Sequence, residues 1–412
     1  MILQMWILLL FLASLLVAGC EKRGPELTIA VGGAPEEVRY WAEVIREFER
    51  REGIEVRILR QPVDTDLRRH GLTVALSAGE PDPDVFLMDI AWIGQFTASG
   101  WLEELRGIDT SPFPEEVLRV DRREGKLYAL PVYVDCGLLY YRKDLLEKYA
   151  CRVPRTWEEL LDCSLKVQKA ERKKNPDFYA FLWQGAQYEG LVCVFLEFST
   201  GAGGGLEKVR SYENIKALTF MRDLIHHYGV SPPNTYTEMK EEEVRILFQS
   251  GNALFERNWP YAWKLHQAED SPVRGRVGIA PLPAFEGGRR ASCLGGWHIG
   301  VSRFSDMKES ALKLLKFITS YEVQKGFALN LGWFPARKDV LKDRELLKKL
   351  PHLKDISEAC SYAVPRPGVP YYVQLSQVLR TYLNAVLAAK MDPATALRKA
   401  EREIELLERT YR

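Results

Sequence analysis

The chain has 412 residues, of which 46% are hydrophobic and 27% charged, and its 57 Lys and Arg residues nearly cancel its 56 Asp and Glu residues. Its length exceeds the roughly 250–300 residues at which a single hydrophobic core stops growing, which predicts two domains. The apolar content excludes a disordered chain, and the net charge of +1 argues against a nucleic-acid-binding protein. So many balanced charges also favour a thermophile surface rich in ion pairs.

The N-terminus carries the pattern of an export signal. Residues 1–19 contain no charged side chain, and the run from Trp6 to Val17 is almost entirely apolar. Residues 17–20 read Val-Ala-Gly-Cys and resemble a lipoprotein cleavage site, which predicts a signal peptide over 1–19 and a lipidated linker over 20–25 that begins at Cys20. Because no Lys or Arg lies in residues 1–6, an uncleaved anchor helix is the alternative. Either way, we expect the domains to work outside the cytoplasm.

The next hundred residues alternate between strand and helix patterns. Strands are predicted at 27–31, 54–59 and 83–88, and helices between them at 35–48 and 64–76. This order predicts a doubly wound α/β lobe, in which ligands bind beyond the carboxyl ends of the strands. That rule selects Glu36 and Glu37 after the first strand and Asp89 after the third.

The remainder of the chain continues the α/β pattern. A long extended stretch over 126–141 includes Tyr133 and Asp135 and is suited to pass from one lobe to the other. Thr156, followed three residues later by Glu159, predicts a capping box at the start of a helix. Further elements are predicted as strands at 178–183 and 251–255, a helix at 242–249 and a C-terminal helix at 393–412.

Motifs for phosphate, metal and nucleophilic chemistry are missing from the sequence. The glycine cluster at 201–205 lacks the Lys-Ser/Thr of a phosphate-binding loop. The six histidines do not have metal-ligand spacing, so we predict neither a metal nor a cofactor. The six cysteines after Cys20 contain no C-x-x-C pair, and most are expected to be small buried residues. Whether any of them form disulfides is left open.

Aromatic and ionised residues recur together at predicted strand ends. A sugar offers apolar C–H faces to an aromatic ring and hydroxyls to a charged group, so such pairs suit carbohydrate binding. Packing in a core is the alternative for each aromatic residue. The pairs are Asp89 with Trp92, Tyr133 with Asp135, Trp259 with Tyr261, and Gly296 with Trp297.

Several segments together resemble the sugar-binding family 1 of ABC-transporter solute-binding proteins, and within it the archaeal-type trehalose/maltose-binding proteins. These segments are 30–35, 84–89, 125–133, 183–190, 255–261, 294–300 and 364–367. The resemblance implies an α/β fold of two lobes, each a mostly parallel sheet flanked by helices. The hinge is then crossed near 134–135, 295–296 and 333–335. Lobe 1 comprises 26–134 plus 297–332, and lobe 2 comprises 135–296 plus 333–412.

The resemblance also implies a ligand site. Its acidic and basic residues would bind sugar hydroxyls, Trp259 and Trp297 would stack on the rings, and Gly296 would offer its backbone. Glu36 is an alternative to Glu37, and Arg69 to Arg68. Alternatively, Arg68 is a solvated charge on a helix, and Arg366 forms an ion pair in the C-terminal part of the chain. The implied ligand-binding residues are Glu37, Arg68, Asp89, Tyr133, Asp135, Trp259, Tyr261, Gly296, Trp297 and Arg366.

The function implied by this resemblance is that of a monomeric, lipid-anchored receptor of an ABC importer. It would bind trehalose or maltose between its lobes and deliver the sugar to the membrane permease, facing the periplasm or cell exterior. We expect contact with the membrane only through the anchor, and no catalysis. The first alternative is a receptor of the same class for another oligosaccharide or sugar derivative. A remote alternative is an exported glycosidase that uses Asp89 and Asp135 as paired acids.

Overall fold

The computed structural model describes residues 26–411. The predicted signal peptide, Cys20 and the linker lie outside this range. No helix in the described part of the chain is long and apolar enough to cross a membrane.

The strands and helices alternate along the chain much as the sequence predicts. The strands are β1 Leu27–Gly32, β2 Val56–Gln61, β3 Val85–Asp89, β4 Arg122–Arg123, β5 Lys126–Leu127, β6 Ala129–Cys136, β7 Leu138–Arg142, β8 Tyr179–Leu182, β9 Ala253–Asn258, β10 Val277–Pro281, β11 Ser292–Val301, β12 Phe334–Pro335 and β13 Ala363–Val364. The helices are α1 Pro35–Glu52, α2 Thr65–Ala78, α3 Ile93–Ala98, α4 Glu115–Leu118, α5 Lys143–Lys148, α6 Trp157–Glu171, α7 Glu189–Gly201, α8 Tyr212–His226, α9 Glu241–Gln249, α10 Ala262–His266, α11 Lys308–Ile318, α12 Tyr321–Leu331, α13 Arg344–Lys349, α14 Leu353–Cys360, α15 Tyr372–Leu387 and α16 Pro393–Tyr411.

Two main sheets give the two-lobed α/β fold that the sequence predicts. The first has the order β12-β6-β11-β3-β1-β2 with β13 attached to β11, and the second has the order β10-β7-β9-β8. We call the first sheet with its helices the first lobe, and the second sheet with its helices, including α15 and α16, the second lobe. Helix α15 packs mainly on α7, α8 and α16, and it also contacts residues 90–98, which follow β3 of the first sheet.

Both sheets are mixed rather than mostly parallel. Strand β1 pairs in parallel with β2 and β3, as the helical crossovers α1 and α2 require. Strand β11, in contrast, runs antiparallel to β3 and β6, and β7 runs antiparallel to β9 and β10. Strand β6 leaves the first sheet through the hinge and β11 returns through it, so the two strands run in opposite directions.

A disulfide ties the end of β6 to the second lobe. Cys136 and Cys360 are bonded, with their Cα atoms 5.4 Å apart, although 224 residues separate them in sequence. Of the remaining cysteines in the described chain, Cys163, Cys193 and Cys293 are buried thiols and Cys151 is a half-buried one. Cys136 is buried as well, so the expectation of small buried residues holds for four of the six, and the bonded pair is the one that the sequence could not identify.

Helix α1 shows how the local sequence positions the first carboxylate. Trp41, Ile45 and Phe48 recur at spacings of three and four and are buried on one face, against the first sheet. Pro35 begins the helix and Gly53 ends it in the left-handed conformation. Since α1 starts directly after β1, the side chain of Glu37 in its first turn lies at the carboxyl end of the sheet.

The capping box predicted for α6 is present. Thr156 Oγ1 accepts a hydrogen bond from the Glu159 N–H at 3.1 Å, and Glu159 Oε2 accepts one from the Thr156 N–H at 3.4 Å.

We expect Thr156→Ala to lower the free energy of unfolding by about 1 kcal/mol, because a helix N–H loses its acceptor. Chemical denaturation measures the change, and Thr156→Ser, which keeps the oxygen, is the control. An equal loss in both variants would assign the effect to the methyl group instead.

Candidate ligand-binding site

Strand β11 gathers the predicted residues at the hinge. Trp297 pairs with Asp89 of β3 on one side and with Tyr133 of β6 on the other, and Gly295 pairs with Asp135. Residues that are far apart in sequence thus become neighbours through register alone. The structure brings the strand-end residues together at the face where the two lobes meet.

Two side chains of the first lobe hold the Trp297 ring in place. The guanidinium carbon of Arg68 lies 4.7 Å from the centre of the Trp297 ring, and Trp92 contacts that ring edge-on at 5.4 Å. Arg68 is only 7% exposed and donates from Nε to the Pro62 carbonyl at 2.6 Å. Burial lowers the pKa of Arg68. The interpretation of Arg68 as a solvated helix charge is therefore wrong.

The structure decides between the neighbouring residues that the sequence left as alternatives, which are Glu36 or Glu37 and Arg68 or Arg69. Glu37 is partly buried and accepts from the Trp333 indole N–H at 3.2 Å, whereas Glu36 is exposed. Arg69 points to another partner, since its Nη2 lies 4.0 Å from Asp66. Glu37 and Arg68, rather than Glu36 and Arg69, are thus the residues that lie among the predicted site residues. Burial raises the pKa of Glu37, against the hydrogen bond that it accepts from the Ala34 N–H.

Trp333 contacts two residues of the site, Tyr133 and Glu37, although sequence reasoning did not select it as a ligand residue. Its ring stacks on Tyr133, with 4.1 Å between ring centres and 26° between planes. The sequence indicated only that the chain crosses the hinge near this residue. Its aromatic type was the available signal, but Trp333 does not end a predicted strand.

Asp135 is surrounded by carboxylates. Burial, followed by repulsion from Asp89 and Glu37, raises its pKa to about 7, although Arg257 acts in the opposite direction. Glu241, at the start of α9, contributes to the same repulsion, and burial also raises the pKa of Glu241. The sequence analysis missed Glu241, because nothing in its local pattern distinguishes it from an ordinary acidic helix start.

Trp259 and Tyr261 lie on the second lobe opposite this cluster. The Trp259 indole donates to Glu241 Oε1 at 3.3 Å, and the Tyr261 hydroxyl donates to Glu242 Oε1 at 2.7 Å. The guanidinium carbon of Arg257 lies 3.9 Å from the centre of the Trp259 ring. Arg257 is itself held by a fully buried ion pair with Glu197, so the plane of the ring has a rigid support.

Arg366 joins the two lobes within the site. Its Nη2 donates to Asp89 Oδ1 at 2.9 Å, and its Nη1 donates to Glu189 Oε1 at 2.8 Å. Glu189, the first residue of α7, also accepts from the hydroxyls of Tyr372 and Ser376. Arg366 is therefore both a member of the cluster and a partner in an ion pair. The sequence missed Glu189, which orients it.

Gly296 allows β6 and β11 to approach closely. Its φ is 133°, in a region that favours glycine, and a Cβ there would lie 2.6 Å from the Tyr133 carbonyl oxygen.

We expect Gly296→Ala to destabilise the fold by about 1–3 kcal/mol and to weaken ligand binding, because Tyr133 and Trp297 are displaced. Thermal unfolding and titration measure both effects. Gly275→Ala is the matched control, since Gly275 has a φ of 75° but open space around it. Equal losses of stability in both variants would mean that backbone strain alone, and not the contact with Tyr133, causes the effect of Gly296→Ala.

Comparison with known proteins decides the family. Residues 34–325 match the family described as bacterial extracellular solute-binding protein. The chain belongs to this family. The solute-binding protein is 34% identical over 366 residues to a probable ABC transporter-binding protein of Deinococcus radiodurans, covering 85% of this chain and 86% of that one.

Two solved structures are similar over nearly the whole solute-binding protein. Maltose-bound MalE3 of T. maritima is 40% identical with a TM-score of 0.87, over 93% of this chain and 99% of that one. A solute-binding protein of Thermotoga lettingae with bound α-D-tagatose is 30% identical with a TM-score of 0.83, over 92% and 99%. The protein is accordingly an exported solute-binding receptor of an ABC transporter, with sugar-binding relatives.

Proposed function

We propose that this receptor binds a disaccharide, trehalose or maltose, between its lobes and delivers it to the membrane permease. The observation that carries the proposal is the pairing of aromatic rings with carboxylates across the site. Trp297 and Tyr133 are neighbours on one lobe, and Trp259 of the other lobe approaches the same strand, since a Cβ added at Gly295 would lie 3.2 Å from both the Trp259 ring and the Asp135 side chain. Rings suit the apolar faces of two sugar units, and the buried charges suit their hydroxyls.

The relative with the higher identity supports the disaccharide over a smaller ligand. At 40% identity, MalE3 was solved with maltose, whereas the tagatose-bound protein is 30% identical. We further propose that the receptor acts as a monomer, and that Cys20 anchors it to the membrane by lipid.

Binding without catalysis is part of the proposal. Paired-acid hydrolysis requires one carboxyl group that gives up a proton and one that is free to attack or activate water. Asp89 Oδ1 already accepts from Arg366 and from the Ala91 N–H at 2.8 Å, which favours its role as a fixed hydrogen-bonding group.

Calorimetric titration of residues 21–412 tests the proposed function. Trehalose, maltose, sucrose, glucose and maltotriose are added in turn, and each mixture is then assayed for hydrolysis products. We expect one-to-one binding of trehalose or maltose with the sugar recovered intact. Preference for another sugar would favour the alternative receptor, and released glucose would favour the glycosidase.

A further inference from the structure

Two ion pairs close the rim of the cleft outside the ligand site. Asp64 Oδ2 lies 3.0 Å from Lys240 Nζ, and Asp66 Oδ2 lies 2.6 Å from Arg380 Nη1. Asp64 and Asp66 sit at the start of α2 in the first lobe, while Lys240 precedes α9 and Arg380 lies on α15 in the second lobe. We call these two contacts the rim pairs.

The rim pairs share one polarity. In both, the first lobe supplies the carboxylate and the second lobe the cation. This arrangement makes the two lobes attract each other along the rim, independently of any ligand.

One partner of each rim pair is fixed within its own lobe. Asp64 Oδ1 accepts from the Leu67 N–H at 3.0 Å and so caps α2, which keeps its second oxygen directed away from the helix. Arg380 is only 13% exposed, and its Nη2 donates to Gln377 on the same helix. Because each pair joins residues of different lobes, the rim pairs form only when the lobes come together.

We propose that Lys240 and Arg380 are positioning residues that raise ligand affinity by stabilising the closed form, without touching the ligand. This inference rests on the proposed function. When the binding-competent form is only partly populated, the observed affinity is reduced in proportion to its population. The affinity for an uncharged sugar therefore depends on ionic strength, since salt weakens exposed ion pairs and leaves a neutral ligand unaffected.

Charge-removing variants test the rim pairs. Lys240→Gln and Arg380→Gln are each expected to weaken sugar binding about two- to fivefold, and the double variant about tenfold. The effect should appear as faster dissociation with nearly unchanged association and melting temperature. Arg380→Lys keeps the charge and should retain most of the affinity. Raising salt from about 50 mM to about 500 mM should weaken the wild type severalfold and the double variant hardly at all.

Lys148→Gln is the matched control. Lys148 forms an exposed pair with Glu171 at 2.6 Å, but both residues belong to the second lobe. The control should keep the wild-type dissociation rate and its salt dependence. Unchanged dissociation in the double variant, or an equal change in the control, would overturn the inference.

A ligand-free measurement separates this inference from the proposed function. If no sugar binds, the proposed function fails, and small-angle scattering of the ligand-free protein then decides about the rim pairs. At low salt we expect a larger radius of gyration for the double variant than for the wild type. Equal radii would overturn the inference in that case.

Discussion

Trp297→Ala is expected to weaken sugar binding by about 2–4 kcal/mol, or about 30- to 1,000-fold in affinity, with a much smaller change in melting temperature. The indole supplies a flat face at the centre of the site, and Arg68 and Trp92 hold it in one orientation. Calorimetric titration and thermal unfolding of the same preparation measure the two effects separately.

Trp101→Ala is the control for this variant. Trp101 is also half-buried in the first lobe, where it packs on Phe96 with 5.3 Å between ring centres, and it is not part of the site. The control should lose stability and keep its affinity. If Trp297→Ala behaves like the control, Trp297 belongs to the core and the proposed stacking is wrong.

Asp135→Asn is expected to weaken sugar binding about 10- to 150-fold, because a buried ionised acceptor of hydroxyl hydrogen bonds becomes a neutral amide of similar shape. In the wild type, protonation of Asp135 should have the same effect. Its pKa of about 7 predicts that affinity falls as the pH drops below 7, by up to about tenfold per pH unit. In the variant, this pH dependence should disappear.

The same substitution should act on stability with the opposite sign. An unfolded Asp135 ionises near 3.8, whereas the folded one has a pKa of about 7. Between these pH values the folded state binds a proton that the unfolded state has lost, so stability falls as the pH rises through this window. Asp135→Asn should therefore raise the melting temperature at about pH 8 while affinity falls. A lower melting temperature would mean that the carboxylate stabilises the fold.

Much of the site was predictable because strand ends are visible in sequence. Asp89 ends β3 and Trp259 directly follows β9, as the apolar runs before them predict. Tyr133 and Trp297 lie inside β6 and β11, where antiparallel register places Trp297 between Asp89 and Tyr133. Glu241 and Glu189 were not predictable in this way. Both are acidic residues at helix starts, which usually face solvent, and their partners in the site, Trp259 for Glu241 and Arg366 for Glu189, are distant in sequence.

The fold was predictable to a similar degree. Periodicity located β1, α1 and the C-terminal helix α16 within a few residues. The antiparallel pairing of β11 with β3 and β6 was not accessible, because strand direction depends on a partner more than 150 residues away. The bond between Cys136 and Cys360 was hidden for the same reason, since spacing alone does not select one pairing among six cysteines.

The position of that bond also constrains how the receptor is made. During export Cys136 crosses the membrane long before Cys360, and Cys151, Cys163, Cys193 and Cys293 cross between them. Each of the four is a competing partner for Cys136 until it is shielded. Correct oxidation therefore depends on Cys163, Cys193 and Cys293 being shielded by the time that Cys360 arrives, so that folding guides the chemistry of the bond.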